Sequence, residues 1–270
     1  MNMSIDIRNH ISQMRSLTSK NNQHLLLDLF CCAGGATKGY QDAGFIVVGI
    51  DIEPQPRYVG DYFIQMDALA CEFLKVFDLI HASPPCQQYS VASALARKQG
   101  KVYPDLIHPT RRMLIASGKP YIMENVVPAP LYADICLDGT MFNIGVIRRR
   151  IFETNINYMP VYPKPSSING SVIEGDYVTV AGNGGGDGSH LKADWEKAMG
   201  INWMLKSELA ESIPPAYTEW IGNEALLRLD NELKPIPASN PRMLFIEKVL
   251  PIQNPLFDNL YQFDKKAGAS

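Results

Sequence analysis

The feature that most constrains the fold is a series of short apolar runs, two of which are separated by a turn and a helical pattern. The first run, residues 25–30, precedes a glycine-rich turn at residues 31–37 and a helical stretch that ends near Gly44. A second run, residues 45–50, follows at once. Continuous apolar runs that alternate with helical segments are typical of parallel strands covered by helices on both faces. The pattern therefore predicts an α/β protein built from strand–helix–strand units.

Weaker patterns extend this prediction to both sides. Residues 1–23 carry apolar positions at helical spacing, which predicts an amphipathic N-terminal helix packed on the core. Apolar residues flank Arg148, Arg149 and Arg150, and this predicts a strand on which Arg148 and Arg150 share one face. Further strands and one helix are predicted at residues 63–66, 77–82, 106–117 (the helix) and 121–123.

Composition limits the classes of protein that the chain can belong to. Its 270 residues, 46% of them hydrophobic, are enough for one large domain or for one domain with a small companion. The five cysteines include no Cys-x-x-Cys pair, which argues against a disulfide framework and a zinc site. With a net charge of −3, nucleic-acid binding has to come from local basic clusters. Three clusters are visible: Arg97-Lys98 with Lys101, Arg111-Arg112, and Arg148-Arg149-Arg150.

A cysteine and a carboxylate are predicted at the same edge of the sheet. Cys86 lies just past the strand at residues 77–82, after a rigid Pro-Pro pair, and Glu124 ends the strand that begins at residue 121. Parallel strands present their carboxyl ends at one edge, where α/β proteins bind ligands. A thiol, stabilised as thiolate by nearby amides, and a proton donor would suit attack on an electron-poor ring. The alternatives are an inert buried cysteine and a carboxylate that only caps or pairs.

The glycine-rich turn suggests a nucleotide-type cofactor. The stretch from Asp28 to Gly35 contains adjacent glycines, and Asp51 follows about 20 residues later, where a carboxylate can accept ribose hydroxyl hydrogen bonds. The turn lacks the full G-x-G-x-x-G pattern and a Gly-Lys-Ser/Thr element, so a nicotinamide cofactor or ATP is disfavoured. A turn with only a packing role is the alternative.

Taken in order, these residues resemble the motifs of DNA cytosine-5 methyltransferases, in particular the compact phage or prophage type. The resemblance covers residues 25–152 and continues at residues 213–222, to about residue 229. The matching elements are Asp28-Leu29-Phe30-Cys31-x-x-Gly34-Gly35, Asp51, Asp67, Pro85-Cys86-Gln87 with Tyr89-Ser90, Glu124-Asn125-Val126 and Arg148-x-Arg150.

The resemblance implies S-adenosylmethionine as cofactor, S-adenosylhomocysteine as product, and a cytosine flipped out of double-stranded DNA as substrate. Cys86 would attack the ring, Glu124 would contact N3 and the exocyclic amine, and Arg150 would address O2. The implied catalytic set is Cys86, Gln87, Glu124, Asn125, Arg148 and Arg150. The implied cofactor-binding set is Asp28, Phe30, Cys31, Cys32, Ala33, Gly34, Gly35, Asp51, Ile52, Asp67, Ala68 and Pro84. The implied DNA-binding set is Gln88, Ser90, Arg97, Lys98 and Lys101.

The implied architecture is a Rossmann-like S-adenosylmethionine-dependent methyltransferase fold with a small inserted target-recognition module. We expect a catalytic and cofactor-binding domain at 1–152, the module at 153–204, a returning segment at 205–229 and a C-terminal segment at 230–270. We also expect a monomer, with no metal and no membrane segment, in the cytoplasm of a bacterial or phage-infected cell. Restriction-modification, protection of a phage genome and regulation are equally compatible with the sequence.

Three other functions stay open at this point. A tRNA cytosine-5 methyltransferase would use the same chemistry, and a catalytically silent relative would bind DNA only. A cysteine hydrolase would need a histidine partner for Cys86, for which His108 and His190 are the candidates.

Overall fold

A computed structural model describes residues 2–133, 135–157, 177–181 and 191–231. Seven strands form one sheet, and their bounds are β1 Leu25–Leu29, β2 Ile46–Asp51, β3 Tyr62–Gln65, β4 Leu79–Ala82, β5 Tyr121–Asn125, β6 Ile135–Leu137 and β7 Arg150–Thr154. Their order in the sheet is β3-β2-β1-β4-β5-β7-β6. Neighbours from β3 to β5 are parallel, whereas β7 runs antiparallel to both β5 and β6. The predicted α/β class is confirmed.

Helices cover both faces of this sheet. They are α1 Asn2–Asn21, α2 Gly35–Ala43, α3 Ala94–Lys98, α4 Ile107–Ser117, α5 Lys192–Met199, α6 Lys206–Glu211 and α7 Pro215–Asp230. Single turns of 3₁₀ helix lie at Ala68–Ala70, Leu74–Val76, Val91–Ser93 and Gly139–Phe142. The predicted N-terminal helix and the helix at residues 106–117 are present as α1 and α4.

Strand β1 shows why the central strands read as continuous apolar runs. All five of its residues are buried, and alternate side chains enter different cores because a strand points successive residues to opposite faces. Leu25, Leu27 and Leu29 belong to one cluster, which also contains Ile11 of α1 and Leu114 of α4. Leu26 belongs to the other, with Tyr40 of α2 and Tyr217 of α7.

The segment after residue 204 packs on the domain that carries the glycine-rich turn. Gly39 of α2 lies so close to α7 that a Cβ there would be 2.1 Å from the Pro215 carbonyl oxygen. The Thr218 hydroxyl donates a hydrogen bond of 2.8 Å to the Ala36 carbonyl. A third cluster joins α5 and α6 to this turn, and its members are Ala33, Val146, Val180, Trp195, Ala198, Met199, Ile201, Met204 and Leu209.

Two predictions about the arginine run need correction. Strand β7 begins at Arg150, so Arg148 and Arg149 precede it, and Arg148 has a positive φ of 34° that no strand residue adopts. Strand β7 also continues through Thr154, two residues past the predicted boundary after residue 152. Glu153, which lies in this strand, is fully buried against Arg111.

The rest of the predicted domain division stays a prediction. Much of the expected recognition module, residues 158–176 and 182–190, and nearly all of the C-terminal segment lie outside the described residues. His190 lies there as well. Where helices are described, none is long and apolar enough to cross a membrane.

Candidate active site

The turn between β1 and α2 has an unusual backbone. Phe30, Cys32 and Gly34 have φ angles of 60°, 47° and 88°, which lie in the left-handed region. That conformation costs a residue with a side chain about 1 kcal/mol or more, and such residues concentrate at ligand sites. The amide of Cys31 donates to the Ile50 carbonyl at 3.1 Å, so β2 holds the turn in place.

Asp51, at the end of β2, anchors the same turn through its carboxylate. Its Oδ2 accepts a hydrogen bond of 2.9 Å from the Cys32 amide, and its Oδ1 accepts one of 3.0 Å from the Glu53 amide. The next residue, Ile52, keeps 62% of its side chain exposed although it is large and apolar. Asp67 is exposed after β3, where it caps the following 3₁₀ turn by accepting from the Leu69 amide at 2.9 Å. Ala68 beside it is buried.

Asp28 is a buried carboxylic acid inside β1. The Thr37 hydroxyl donates to its Oδ2 at 2.5 Å, but its Oδ1 has no hydrogen-bond partner among the described residues. Burial raises the pKa of Asp28 to about 7. A buried polar oxygen without a partner is uncommon, and it marks a position where a ligand can supply the missing donor.

Two residues that are distant in sequence also contact the turn between β1 and α2. The Trp203 indole donates to the Ala33 carbonyl at 2.9 Å. A Cβ on Gly35 would be 1.9 Å from the Ser212 hydroxyl oxygen, so only glycine fits there. Sequence reasoning missed Trp203 and Ser212, because contacts across about 170 residues leave no local spacing pattern.

The loop after β4 presents Cys86 at the same edge of the sheet. The Ser83 amide donates to the Leu29 carbonyl at 3.2 Å, which continues the pairing with β1. Pro84 is buried, and its carbonyl accepts a hydrogen bond of 2.8 Å from the Asn125 side chain. Asn125 therefore fastens the Cys86 loop to β5.

Glu124 and Arg150 form a largely buried ion pair beside this loop. The Arg150 Nε lies 3.0 Å from the Glu124 Oε1, and Glu124 is only 5% exposed. Their strands, β5 and β7, are direct neighbours in the sheet. Burial raises the pKa of Glu124, although Arg150 and the Ser83 hydroxyl act in the opposite direction.

The same charges act on Cys86, so the three groups share one environment. Burial raises the pKa of the Cys86 thiol, Arg150 lowers it, and Glu124 raises it. The net shift is upward, which differs from the expectation that nearby amides would stabilise a thiolate. The half-buried site removes more solvation from the sulfur than its surroundings return.

Arg148 does not face this group of side chains as an independent cation. Its guanidinium donates to three backbone carbonyls, those of Val180 at 2.5 Å, Ala210 at 2.7 Å and Ser212 at 2.7 Å. Burial lowers its pKa to about 9. Arg148 ties the segment before β7 to the end of α6.

The basic residues of the following loop divide into two kinds. Arg97 turns inward, where its Nη1 donates to the carbonyls of Gln87 at 2.6 Å and Ser90 at 2.8 Å. Lys98 and Lys101 are exposed, as is Gln88. Contact of these residues with DNA stays a prediction.

Two other predicted candidates, Arg111 and His108, make contacts that suit a structural role. Arg111 is 3% exposed and forms an ion pair of 2.7 Å with Glu153, so it is not a surface cation. His108 Nδ1 lies 3.5 Å from the Arg111 Nη1, which gives the cysteine hydrolase alternative no support. No cluster of His, Cys, Asp or Glu suited to a metal ion occurs within the described ranges.

No protein-family model and no curated protein sequence matches the chain. Among solved structures, a prophage-encoded E. coli protein described as a DNA modification methyltransferase is 14% identical with a TM-score of 0.50, over 77% of this chain and 100% of that one. Methyltransferase EhMeth of Entamoeba histolytica is 13% identical with a TM-score of 0.44, over 78% and 99%. The Dnmt2 methyltransferase of S. pombe is 18% identical with a TM-score of 0.35, over 53% of this chain and 51% of that chain. At these identities the likeness concerns the fold alone, and together with the strand order it shows that this chain has the Rossmann-like fold of S-adenosylmethionine-dependent methyltransferases.

Proposed function

We propose that the protein transfers a methyl group from S-adenosylmethionine to C5 of cytosine in double-stranded DNA. One observation carries the proposal: the Glu124–Arg150 ion pair lies at the edge of the sheet where Asn125 holds the Cys86 loop. A thiol, an acid and a guanidinium together match the needs of a pyrimidine that is attacked at carbon and neutralised at N3 and O2. The glycine-rich turn leaves the same edge of the sheet.

The residues around that turn fit the cofactor. Asp51 would accept from ribose hydroxyls, and Ile52 next to it, which is exposed, would offer an apolar surface to the adenine ring. Asp67 is exposed at the neighbouring strand end, and the unpartnered Oδ1 of Asp28 can accept a donor from the ligand. Once bound, S-adenosylmethionine would supply the electrophilic methyl group.

The chain's own side chains account for the activation of cytosine. The Cys86 thiol gives its proton to water, and the sulfur then forms a bond to C6 while Glu124 delivers a proton to N3 as the electron pair moves onto the ring, which makes C5 nucleophilic. Arg150 stabilises the charge that develops at O2. After C5 has taken up the methyl group, water takes the C5 proton and the bond between the Cys86 sulfur and C6 breaks. N3 returns its proton to Glu124, and the released thiolate takes a proton from water, which restores both groups.

The substrate has to be extruded before this can happen. C6 and C5 are shielded in a stacked duplex, and flipping one base out costs a few kcal/mol. Lys98 and Lys101 are exposed on the loop after Cys86, where lysines can contact phosphates as the loop closes on the base. Double-stranded DNA as partner, a monomeric state and a cytoplasmic location are parts of this proposal.

Sequencing of DNA from cells that express the protein tests the reaction. Bisulfite treatment would show protected cytosines at a fixed sequence, and this would reveal the target site as well. If DNA is unmodified while a transfer RNA from the same cells carries 5-methylcytosine, the substrate assignment is wrong and the chemistry is right.

A fluorinated substrate tests the covalent step directly. In a duplex with 5-fluorocytosine at the target site, the C5 fluorine cannot leave as a proton, so the bond between Cys86 and C6 persists after methyl transfer. We expect a protein–DNA adduct that survives denaturation and maps to Cys86 by mass spectrometry. Methylation of the normal duplex without any trapped adduct would contradict the role of Cys86.

A further inference from the structure

Asp28 carries a buried carboxyl group with fewer hydrogen-bond donors than an ionised carboxylate needs. It is 1% exposed, in the strand that leads into the glycine-rich turn. The Thr37 hydroxyl, on the helix that follows the turn, lies 2.5 Å from its Oδ2, and its Oδ1 has no hydrogen-bond partner among the described residues. A buried charge is costly unless it is paired and hydrogen-bonded. The geometry therefore favours the neutral, protonated acid in the free protein.

We propose that Asp28 holds a proton in the free protein and releases it to solvent when S-adenosylmethionine binds at the turn, in exchange for the positive charge of the sulfonium. The O–H bond of the carboxyl group breaks, its electron pair stays on the carboxylate, and the buffer takes up the proton. The inference rests on the proposed function only in placing S-adenosylmethionine at the turn. It involves neither cytosine nor DNA.

The charge of the cofactor supplies the driving force. A cation near a buried carboxyl group favours its ionised form, and the interaction is stronger where water is excluded. Asp28 and Thr37 flank the turn on its two sides. Asp51, the carboxylate at the end of β2, already accepts hydrogen bonds from the amides of Cys32 and Glu53. Of these two acids, Asp28 is the one whose ionised form gains most from a cation.

Two hydroxyl groups let Asp28 lose and regain its proton in unchanged surroundings. The Tyr58 hydroxyl lies 3.2 Å from the Thr37 hydroxyl oxygen. When Asp28 is ionised, Tyr58 can donate to Thr37 and Thr37 to Asp28, and when Asp28 is protonated, the direction of both bonds can reverse. Each hydroxyl carries one proton in either arrangement, so the two states differ by the Asp28 proton alone. Tyr58 is held between Gly49 and Gly60, where a Cβ would lie 2.4 Å and 2.2 Å from its side chain.

Burial is the largest influence on this acid. It raises the pKa of Asp28 to about 7, whereas the hydrogen bond from Thr37 acts in the opposite direction. The carboxylates of Asp51 and Glu124 raise the pKa of Asp28 as well. Slightly below neutral pH, most molecules of the free protein therefore have a proton on Asp28 that a nearby cation can displace.

The other titratable groups around Asp28 are neutral in this pH range. Burial raises the pKa values of the Cys31 and Cys32 thiols in the turn and of the Tyr58 phenol. His81 lies opposite Asp28 in the pairing of β1 with β4, and burial lowers its pKa to about 3. A proton that is released near pH 6.5 therefore does not come from any of these four groups.

Calorimetry counts the released protons. S-adenosylmethionine is titrated into the free protein at pH 6.5 in two buffers that differ in ionisation enthalpy, and the difference in heat gives the number of protons. We expect about half a proton or more per cofactor for the wild type and close to none for Asp28→Asn. The amino group of the cofactor stays protonated at this pH, since the pKa of such groups is about 8. Absence of release from the wild type, or equal release from Asp28→Asn, would overturn the proposal.

Two controls identify the source and the cause of the release. Asp42→Asn should behave as the wild type does, because Asp42 is an exposed carboxylate that pairs with Lys38 on the same helix as Thr37. S-adenosylhomocysteine keeps the amino group but lacks the sulfonium charge, so it should release clearly fewer protons. Equal release by the two ligands would contradict the exchange.

Infrared difference spectra of the wild type give a readout that does not depend on a variant's folding. With aspartate labelled with ¹³C at the side-chain carboxyl group, the band of a protonated acid should be present in the free protein at pH 6.5 and should decrease when S-adenosylmethionine binds. A spectrum without that change would overturn the proposal.

The affinity for the cofactor should follow the same proton. Because binding releases a proton, the Kd for S-adenosylmethionine should fall as pH rises towards 7, by up to about tenfold per pH unit, and then level off. Asp28→Asn should show no such dependence. Proton release without methylation of DNA would refute the proposed function alone, whereas methylation of DNA without proton release would refute only this inference.

Discussion

The turn that follows β1 and the loop that follows β4 leave the same edge of the sheet, but they are held in different ways. Asp51 and the Ile50 carbonyl hold the turn from β2, and Trp203 holds it from a distant segment. The loop is fastened near its start by Asn125 and Arg97. Beyond that point it is exposed, and Val102 has 89% of its surface in solvent. Under the proposed function, this contrast means that the cofactor side is formed in the free protein and that the substrate side is completed when nucleic acid binds.

The largest expected effect comes from a variant that changes the loop after β4 and leaves the turn after β1 intact. Cys86→Ala removes the nucleophile of the loop, so methyl transfer should fall by about 10⁴-fold or more. The turn does not depend on the sulfur, so the Kd for S-adenosylmethionine should change by less than about twofold. Radiolabelled methyl transfer and titration calorimetry measure the two quantities.

Cys71→Ala is a matched control for Cys86→Ala. Cys71 is a free thiol as well, and it is buried in the segment between β3 and β4, outside the Cys86 loop in sequence. It should retain transfer. Appreciable transfer by Cys86→Ala would contradict the nucleophile assignment, and a large rise in its cofactor Kd would show that the two regions are not independent.

A second experiment compares two arginines that are two positions apart. Arg148→Met leaves three carbonyls without their donor, so the free energy of unfolding should fall by about 3–5 kcal/mol in urea titrations. Arg150→Met removes the partner of Glu124 and should mainly lower kcat, by about 10²-fold or more. The distinction between support and catalysis would fail if both variants lost stability equally while retaining kcat.

The sequence predicts the features of this fold that depend on local patterns of residues. It does not predict the features that depend on contacts between residues distant in sequence. The runs that became β1, β2 and β4 were readable because strands buried on both faces are continuously apolar. Cys86 and Glu124 were placed together correctly because parallel strands deliver their ends to one edge. The positions of side chains at strand ends are therefore predictable from strand order alone.

What could not be predicted depends on partners that are distant in sequence. Arg111 and Glu153 look like surface charges until β7 pairs with β5 and buries them against each other. Arg148 looks like a strand residue, but its guanidinium donates hydrogen bonds to backbone carbonyls 32 to 64 residues away. Long-range polar pairs of this kind carry no periodicity, which is the signal that sequence reasoning uses.

The pH dependence of stability tests whether Asp28, which lies in β1 before the turn, is protonated in the folded protein. The pKa of Asp28 is about 7 in the folded protein against an ordinary value near 4, so between these pH values the folded state binds a proton that the unfolded state lacks. The free energy of unfolding therefore falls as pH rises through this window, by up to about 1.4 kcal/mol per pH unit, and the loss is complete above pH 7.

Asp28→Asn should remove this contribution. Relative to wild type, the variant should gain about 2–4 kcal/mol between pH 4 and pH 8, and urea titrations at four pH values measure the difference. Since Asn retains an acceptor for Thr37, the fold should be kept, while the Kd for S-adenosylmethionine should rise. A difference in stability that does not change with pH would show that Asp28 is not protonated in the folded protein.

The smallest expected effects concern the exposed end of the loop. If Lys98 and Lys101 contact phosphates when the loop closes, each Lys→Ala change should weaken DNA binding by about 1 kcal/mol or less and reduce the slope of log K against log salt by about 0.9. Arg97→Ala should behave differently, because Arg97 serves the carbonyls of Gln87 and Ser90, and its loss should lower kcat without the same change in slope. Lys75→Ala is the control, since Lys75 precedes β4 and lies at the opposite edge of the sheet. An equal change in slope for Lys75→Ala and Lys101→Ala would mean that the lysines act through overall charge, and the loop would then have no specific part in binding nucleic acid.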